Sequence, residues 1–212
     1  MRDAMKLIFE KIGAQFRKPS GFGGVLSTFL MNRLNRRQYA ATTRALSLTE
    51  NDRVLDIGFG NGFMLQKLER LNNCEYYGIE ISNDMVSSAS KRNRNAVAER
   101  RMKLQLGDVQ KTDFDDNFFD KIYTINTVYF WSDLKHGLTE IYRILKNGGI
   151  FINTIYSCEY LDSLPCTQTG FAKYSLDKLT DTATQCGFKV RVVTIVEGKS
   201  FVLIFKKQVS KD

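Results

Sequence analysis

From residue 53 onward, apolar positions switch repeatedly between two periods. Short apolar runs at residues 54–57, 75–81, 102–106, 119–126 and 150–156 read as strands. Between them lie stretches of helical period, at about 62–71, from Ser82 onward with Met85, Val86 and Ala89 inward, from Ser132 through Leu134, Leu138, Ile141, Ile144 and Leu145, and at 175–186. Ser82 and Ser132 stand where N-caps are expected, and Gly148-Gly149 where the fourth strand's helix should stop. Strand alternating with helix predicts an α/β fold on a mostly parallel sheet. The last two β-rich runs, 188–196 and 200–206, are joined by Glu197-Gly198-Lys199 and predict an antiparallel hairpin. Residues 112–117 read as turns and 158–174 as irregular.

Ahead of the first strand the pattern is purely helical. Met5, Ile8, Phe9, Ile12 and Phe16 share one helical face, and Leu26, Phe29, Leu30, Leu34 and Ala41 share another. The Gly-bearing stretch 17–24 separates them, so residues 1–48 read as a helical cap, either a packing arm or a lid. Composition then narrows the class. The chain has 212 residues, 43% hydrophobic and 25% charged, enough for one domain with its own core. No apolar run approaches the ~20 residues of a membrane span, and the first residues lead into no apolar signal core, so a cytoplasmic location is expected. Four dispersed cysteines and the single His136 form no metal-ligand spacing, so no metal is expected. The net charge of +8 is uneven: ten Lys and Arg against four Asp and Glu in residues 1–53, and six against one in 91–103. Such clusters fit phosphate or nucleic acid, and fit solvated helix faces as well.

The chemistry begins where the first strand ends. Val54-Leu55-Asp56-Ile57 runs into Gly58-Phe59-Gly60-Asn61-Gly62 and then a helix, the layout in which backbone N–H groups approach a ligand at a helix N-terminus. Glu80 ends the second strand, 22 residues after Gly58, and Asp108 follows the third. All three features face the crevice at the carboxyl ends of the strands. A carboxylate at the second position can accept from both hydroxyls of a ribose. The spacing is G-x-G-x-G, with Phe63 where a dinucleotide fingerprint has its third Gly, which argues against a pyrophosphate ligand.

Val54 through Gly62 resembles the first motif of the class I S-adenosylmethionine-dependent methyltransferases. Glu80, Gly107-Asp108-Val109 and Leu145-Lys146-Asn147-Gly148-Gly149 resemble the later motifs of that family, in order, over about residues 50–156. Asn126 to Trp131 and the helix after them are most similar to its bacterial small-molecule members. Phe59 departs from the small residue that many members carry. The resemblance implies a Rossmann-like, seven-stranded, mostly parallel sheet with a C-terminal antiparallel hairpin and an N-terminal helical lid. Residues 49–212 would form the methyltransferase domain, with a substrate-side insert at about 157–174. It implies S-adenosylmethionine as cofactor. Asp56 and the backbone of Gly58, Phe59, Gly60 and Gly62 would face its methionine and ribose. Glu80 would take the ribose diol, Ile81 and Met85 would pack on the adenine, and Gly107, Asp108 and Val109 would address the base. Asn126 would border the methionine, and Tyr39 would reach its carboxylate.

Methyl transfer from a sulfonium depends on alignment, which supplies up to about 7–11 kcal/mol, so a catalytic triad is not required. None is visible, and no catalytic base is assigned; His136 reads as an ordinary surface histidine. Tyr129 and Trp131 are expected to line the acceptor pocket, roofed by the N-terminal helices and by Tyr156, Tyr160, Leu161, Leu164 and Phe171 of the insert. That roof suits a partly apolar small molecule or a peptide. An RNA- or ribosome-directed methyltransferase using the basic clusters, and a cofactor-binding regulator without turnover, are the other two readings. Asn126-Thr127-Val128-Tyr129 lacks the Asn-Pro-Pro-Tyr pattern expected for methylation of a base amino group.

Overall fold

The computed structural model describes residues 34–209. The helical patterns at 3–16 and 25–33 and the stretch 17–24 lie outside the described residues. In chain order the elements are α1 (Arg36–Leu46), β1 (Arg53–Ile57), α2 (Phe63–Glu69), β2 (Glu75–Glu80), α3 (Asn83–Arg92), α4 (Arg94–Ala98), β3 (Met102–Leu106) and β4 (Phe119–Ile125). Then follow α5 (Leu134–Ile144), β5 (Leu145–Tyr156), α6 (Cys158–Asp162), α7 (Leu176–Gln185), β6 (Phe188–Val196) and β7 (Ser200–Lys207).

The seven strands form one sheet in the order β3-β2-β1-β4-β5-β7-β6. The first five run parallel, and β7 lies antiparallel between β5 and β6. The expected mostly parallel sheet closing on an antiparallel hairpin is therefore present. Its central strands are nearly continuously apolar because helices cover both faces. Leu55, Ile57, Ile79, Ile122 and Phe151 meet Leu138, Ile141 and Ile144 of α5 and Leu179 and Ala183 of α7. On the other face Val54, Tyr76, Tyr123 and Ile152 meet Leu46 of α1, Met64, Leu65 and Leu68 of α2, and Ala89 of α3. The order reverses between β1 and β4, which places a crevice at their carboxyl ends.

Three local expectations are corrected. Asp133, not Ser132, caps α5: its carboxylate accepts from the His136 N–H at 3.0 Å. The helix then stops at Ile144, well before Gly148-Gly149, and Leu145 already pairs with Phe119 of β4. Gly148, at φ +80°, falls inside the irregular opening of β5. A buried lysine explains the early stop. Lys207 of β7 is 6% exposed, and its Nζ donates to Tyr142 O at 2.7 Å, Leu145 O at 2.8 Å and Asn117 Oδ1 at 2.9 Å. All three ammonium hydrogens are used, two of them on carbonyls at the end of α5, where a cation also meets the helix dipole. The third correction is the insert. Residues 158–174 are not wholly irregular: Ser157 caps α6 by accepting from the Tyr160 N–H, and Pro165–Thr167 forms a 3-10 turn. Ser82 caps α3 as expected, its hydroxyl accepting from the Met85 N–H.

Replacing Lys207 by Ala strands those acceptors, at a cost of about 1–3 kcal/mol for each one left buried and unpaired. Lys207→Ala is expected to lower the Tm by roughly 5–10 °C for a domain of this size, while the exposed neighbour Lys206→Ala leaves it unchanged; thermal melting followed by circular dichroism reads both.

Candidate active site

The first loop is built around two glycines that cannot be exchanged. Gly58 sits at φ +75°, and a Cβ there would lie 2.5 Å from Cγ2 of Thr127. Gly62 sits at φ +71°, at the start of α2, and a Cβ there would meet Ala89 of α3 at 2.8 Å. Positive φ costs other residues a Cβ clash in addition to these contacts. Phe59, the bulky departure, turns its ring onto Gly78 of β2, where a Cβ would come within 2.5 Å of the ring. The missing side chain of Gly78 is what admits Phe59.

Glu80 ties this loop to the next strand. One carboxylate oxygen accepts from the Gly60 N–H at 3.0 Å and the other from the Ser82 N–H at 3.0 Å. Burial raises its pKa, and the N–H groups of Gly60, Ser82 and Ile81 pull against that shift. A carboxylate has about four lone-pair sites, so two remain for a diol. Asp56 lies deeper, 3% exposed, paired in register with Tyr123 of β4, whose hydroxyl donates to it at 2.6 Å. Burial pushes its pKa to about 8, with the charge of Glu80 adding to the shift and the Tyr123 bond opposing it. Burial first and then Asp56 raise the phenol of Tyr39.

These groups line one cleft, open to solvent at its mouth. Tyr39, Asp56, Gly58, Phe59, Gly60, Glu80, Ile81, Gly107, Asp108, Val109, Asn126 and Trp131 all border it. Gly62, Met85 and Tyr129 do not. Gly62 is buried at the start of α2, and Met85 is buried under α3. Tyr129, expected in the acceptor pocket, is a buried bracket: its hydroxyl accepts from the Tyr156 N–H at 2.6 Å and reaches Asn126 Oδ1 at 3.3 Å. Phe130, not Tyr129, stands in the wall, backed by the ring of Phe171 at 4.7 Å. Trp131 lies across Gly137 of α5, where a Cβ would be 2.9 Å from its ring. Among the insert residues, Tyr156 reaches the cap, donating its hydroxyl to Asn35 Oδ1 at 2.9 Å. His136 is exposed and away from the cleft.

The sequence reading missed Asn35, Phe63, Met64, Tyr123, Ile125, Thr127 and Phe130, all of which border the cleft. One had a signal. Tyr123 is a hydroxyl in an apolar strand, directly opposite Asp56 once β1 and β4 are known to be neighbours. Asn126, which was expected in the site, holds φ +60°, a conformation Asn tolerates better than most residues, and its Nδ2 donates to Gln38 Oε1 of α1 at 2.7 Å. Asn35 had none, since it arrives from far upstream. Among the described residues the cleft holds three carboxylates, Asp56, Glu80 and Asp108, and no lysine, arginine or histidine. Such a site favours a cationic ligand.

A buried acid with a raised pKa costs stability when it must ionise. Asp56 contributes its full stabilisation below the reference pKa of 3.8 and loses it as pH rises through about 8. Asp56→Asn, which keeps an oxygen for the Tyr123 hydroxyl, is therefore expected to flatten the decline of the ligand-free Tm between pH 5 and 8; a decline as steep as in the parent would assign it to other groups.

Comparison with known proteins agrees with this arrangement. A family model described as a methyltransferase domain matches residues 55–153. The Bacillus subtilis (strain 168) protein named uncharacterized methyltransferase YdaC is 29% identical over 126 residues, covering 59% of this chain and 67% of that protein. The sterol 24-C-methyltransferase of Kluyveromyces lactis is 26% identical over 157 residues, 68% of this chain but 42% of that enzyme. The chain thus spans about two thirds of the first relative and less than half of the second. In structure, an S-adenosylmethionine-dependent methyltransferase from Methanosarcina mazei superposes with a TM-score of 0.64 at 19% identity, covering 77% of this chain and 95% of that one. Strand order, Gly loop, strand-end carboxylates and the family match agree: residues 55–153 match a methyltransferase domain, and the sheet has the fold of the S-adenosylmethionine-dependent methyltransferases.

Proposed function

We propose that the protein transfers the methyl group of S-adenosylmethionine by in-line displacement to a small, partly apolar acceptor. The observation that carries this is the division of the cleft. One end is a fork of buried carboxylate and backbone N–H groups, and the other is an uncharged wall of Tyr39, Thr127, Phe130 and Trp131.

Bound in the cleft, the cofactor supplies an electrophilic methyl on a cationic sulfur. The residues of the chain bind and orient. Glu80 would accept from the ribose hydroxyls with its two remaining lone-pair sites, while Gly60 and Ser82 hold it in place. Asp108, which also accepts from the Gln110 N–H at 3.0 Å, would take the adenine amino group, with Ile81 and Val109 on the ring. Asp56 and Asn126 would face the methionine end, Asp56 braced by Tyr123 and Asn126 by Gln38. The rings of Tyr39 and Trp131 suit a neighbouring cation. Phe130 and Trp131 exclude water from the acceptor side. No histidine among the described residues borders the cleft, and its carboxylates lie at the end assigned to the cofactor, so no general base is assigned. The sterol-methylating relative supports an apolar acceptor.

Hydrogen bonds to a charged group are worth about 1.5–3 kcal/mol, and each 1.4 kcal/mol is tenfold in affinity. Glu80→Ala is accordingly expected to weaken S-adenosylmethionine binding by roughly ten- to a hundredfold in calorimetry, and Glu80→Gln by less. Equal affinities across the three proteins would remove the ribose assignment. Incubation with methyl-labelled cofactor and a cell extract should place the label in a small, extractable product. Label found only in protein or nucleic acid would refute the acceptor reading.

A further inference from the structure

The basic run that stands out at 91–103 is largely solvent-exposed, and part of it also borders a groove. The end of α3 and the start of α4 bring Lys91, Arg92 and Arg94 beside Arg70, just past the end of α2. Together with Arg101 they line a groove. Its only two lining carboxylates, Glu69 and Glu99, both bond Arg101. Among the described residues, no carboxylate forms an ion pair with Arg70, Lys91, Arg92 or Arg94.

Four like charges around one groove repel one another unless anions fill it. One of them is also fixed in direction. Arg92 donates from Nε to the carbonyl of Asn61 at 2.9 Å, so it is anchored to the cofactor loop itself. Its guanidinium lies over the Phe63 ring, which borders the cleft. The remaining lining is Gln66, Asn93, Asn95 and Ala96, all polar or small. With no aromatic in the groove, stacking on bases is not offered. With no exposed large apolar side chain in it, insertion into a lipid surface is not offered either. Cations contributed by three successive helices suit a row of phosphates better than a single small anion.

We infer that the groove between α2, α3 and α4 is a docking site for the phosphate backbone of a nucleic acid, next to the cofactor loop. The inference goes beyond the proposed small-molecule transfer and does not depend on it. Recognition is of backbone and shape, and carries no base sequence.

Fluorescence anisotropy of the full chain with labelled RNA and DNA duplexes, across a salt series, tests it. Four phosphate contacts predict log affinity falling with log salt at a slope of about −3 to −4. Lys91→Glu with Arg94→Glu is expected to weaken binding more than tenfold and to reduce the slope by about two. Neither residue borders the cofactor cleft, so S-adenosylmethionine affinity and the melting curve should be unchanged, which separates a docking defect from misfolding. Lys189→Glu with Arg191→Glu, exposed on β6, is the control for general charge and should leave binding intact. Equal weakening by both pairs, absence of salt-dependent binding in the parent, or binding only to vesicles of anionic lipid would overturn the inference. Methyl label appearing in the duplex would overturn the small-molecule reading while leaving the docking site standing.

Discussion

The site depends on one buried carboxylate being shared between two turns. Glu80 accepts from Gly60 in the loop after β1 and from Ser82 at the start of α3. Without those N–H groups, an ionised acid at the inner end of β2 would be strongly disfavoured. Without the acid, two backbone donors at the edge of the core would lose their partner. Each side therefore enforces the other, and the loop between Gly58 and Gly62 is held open at the carboxyl ends of the strands. Ser82 adds a second constraint from the same turn, since its hydroxyl starts α3 while its amide holds Glu80.

The cofactor half of this arrangement was legible because it is local. An apolar run followed by alternate glycines fixes a strand, a turn and a helix start within ten residues, and Glu80 and Asp108 follow at strand ends. The hairpin was equally legible, since 188–196 and 200–206 pair with each other across a short turn. The wall proposed to face the acceptor was less legible because its determinants are distant in sequence. Tyr129 and Phe130 are adjacent aromatic residues in a 3-10 turn, and which of them faces the cleft is decided by the Tyr156 amide of β5, which claims the Tyr129 hydroxyl. The end of α5 was misplaced for a similar reason. Leu145 could continue the helical pattern, but Lys207, 62 residues away, collects the terminal carbonyls and releases the chain into β5.

Helix α1 illustrates how a cap becomes part of the site. Thr42 exchanges a hydroxyl contact of 2.7 Å with Thr154 of β5, Gln38 bonds Asn126, and Asn35 accepts from Tyr156. Three polar contacts spaced along one helix face set its register over the sheet, in an interface that apolar packing alone would leave free to slide. Tyr39 lies on the same helix, so the wall of the cleft that it forms is inherited from these polar pairs.

The packing of Phe59 against Gly78 carries a different consequence. The two residues occupy a single volume from opposite sides, one from the loop and one from the strand, so neither can change size independently. Any lineage descending from this sequence that enlarges position 78 must first shrink position 59, and the order of those steps matters because the reverse order passes through an overfilled core. The pair is a historical ratchet: once the aromatic ring is seated, the route back to an ordinary side chain in β2 is closed until the loop gives way.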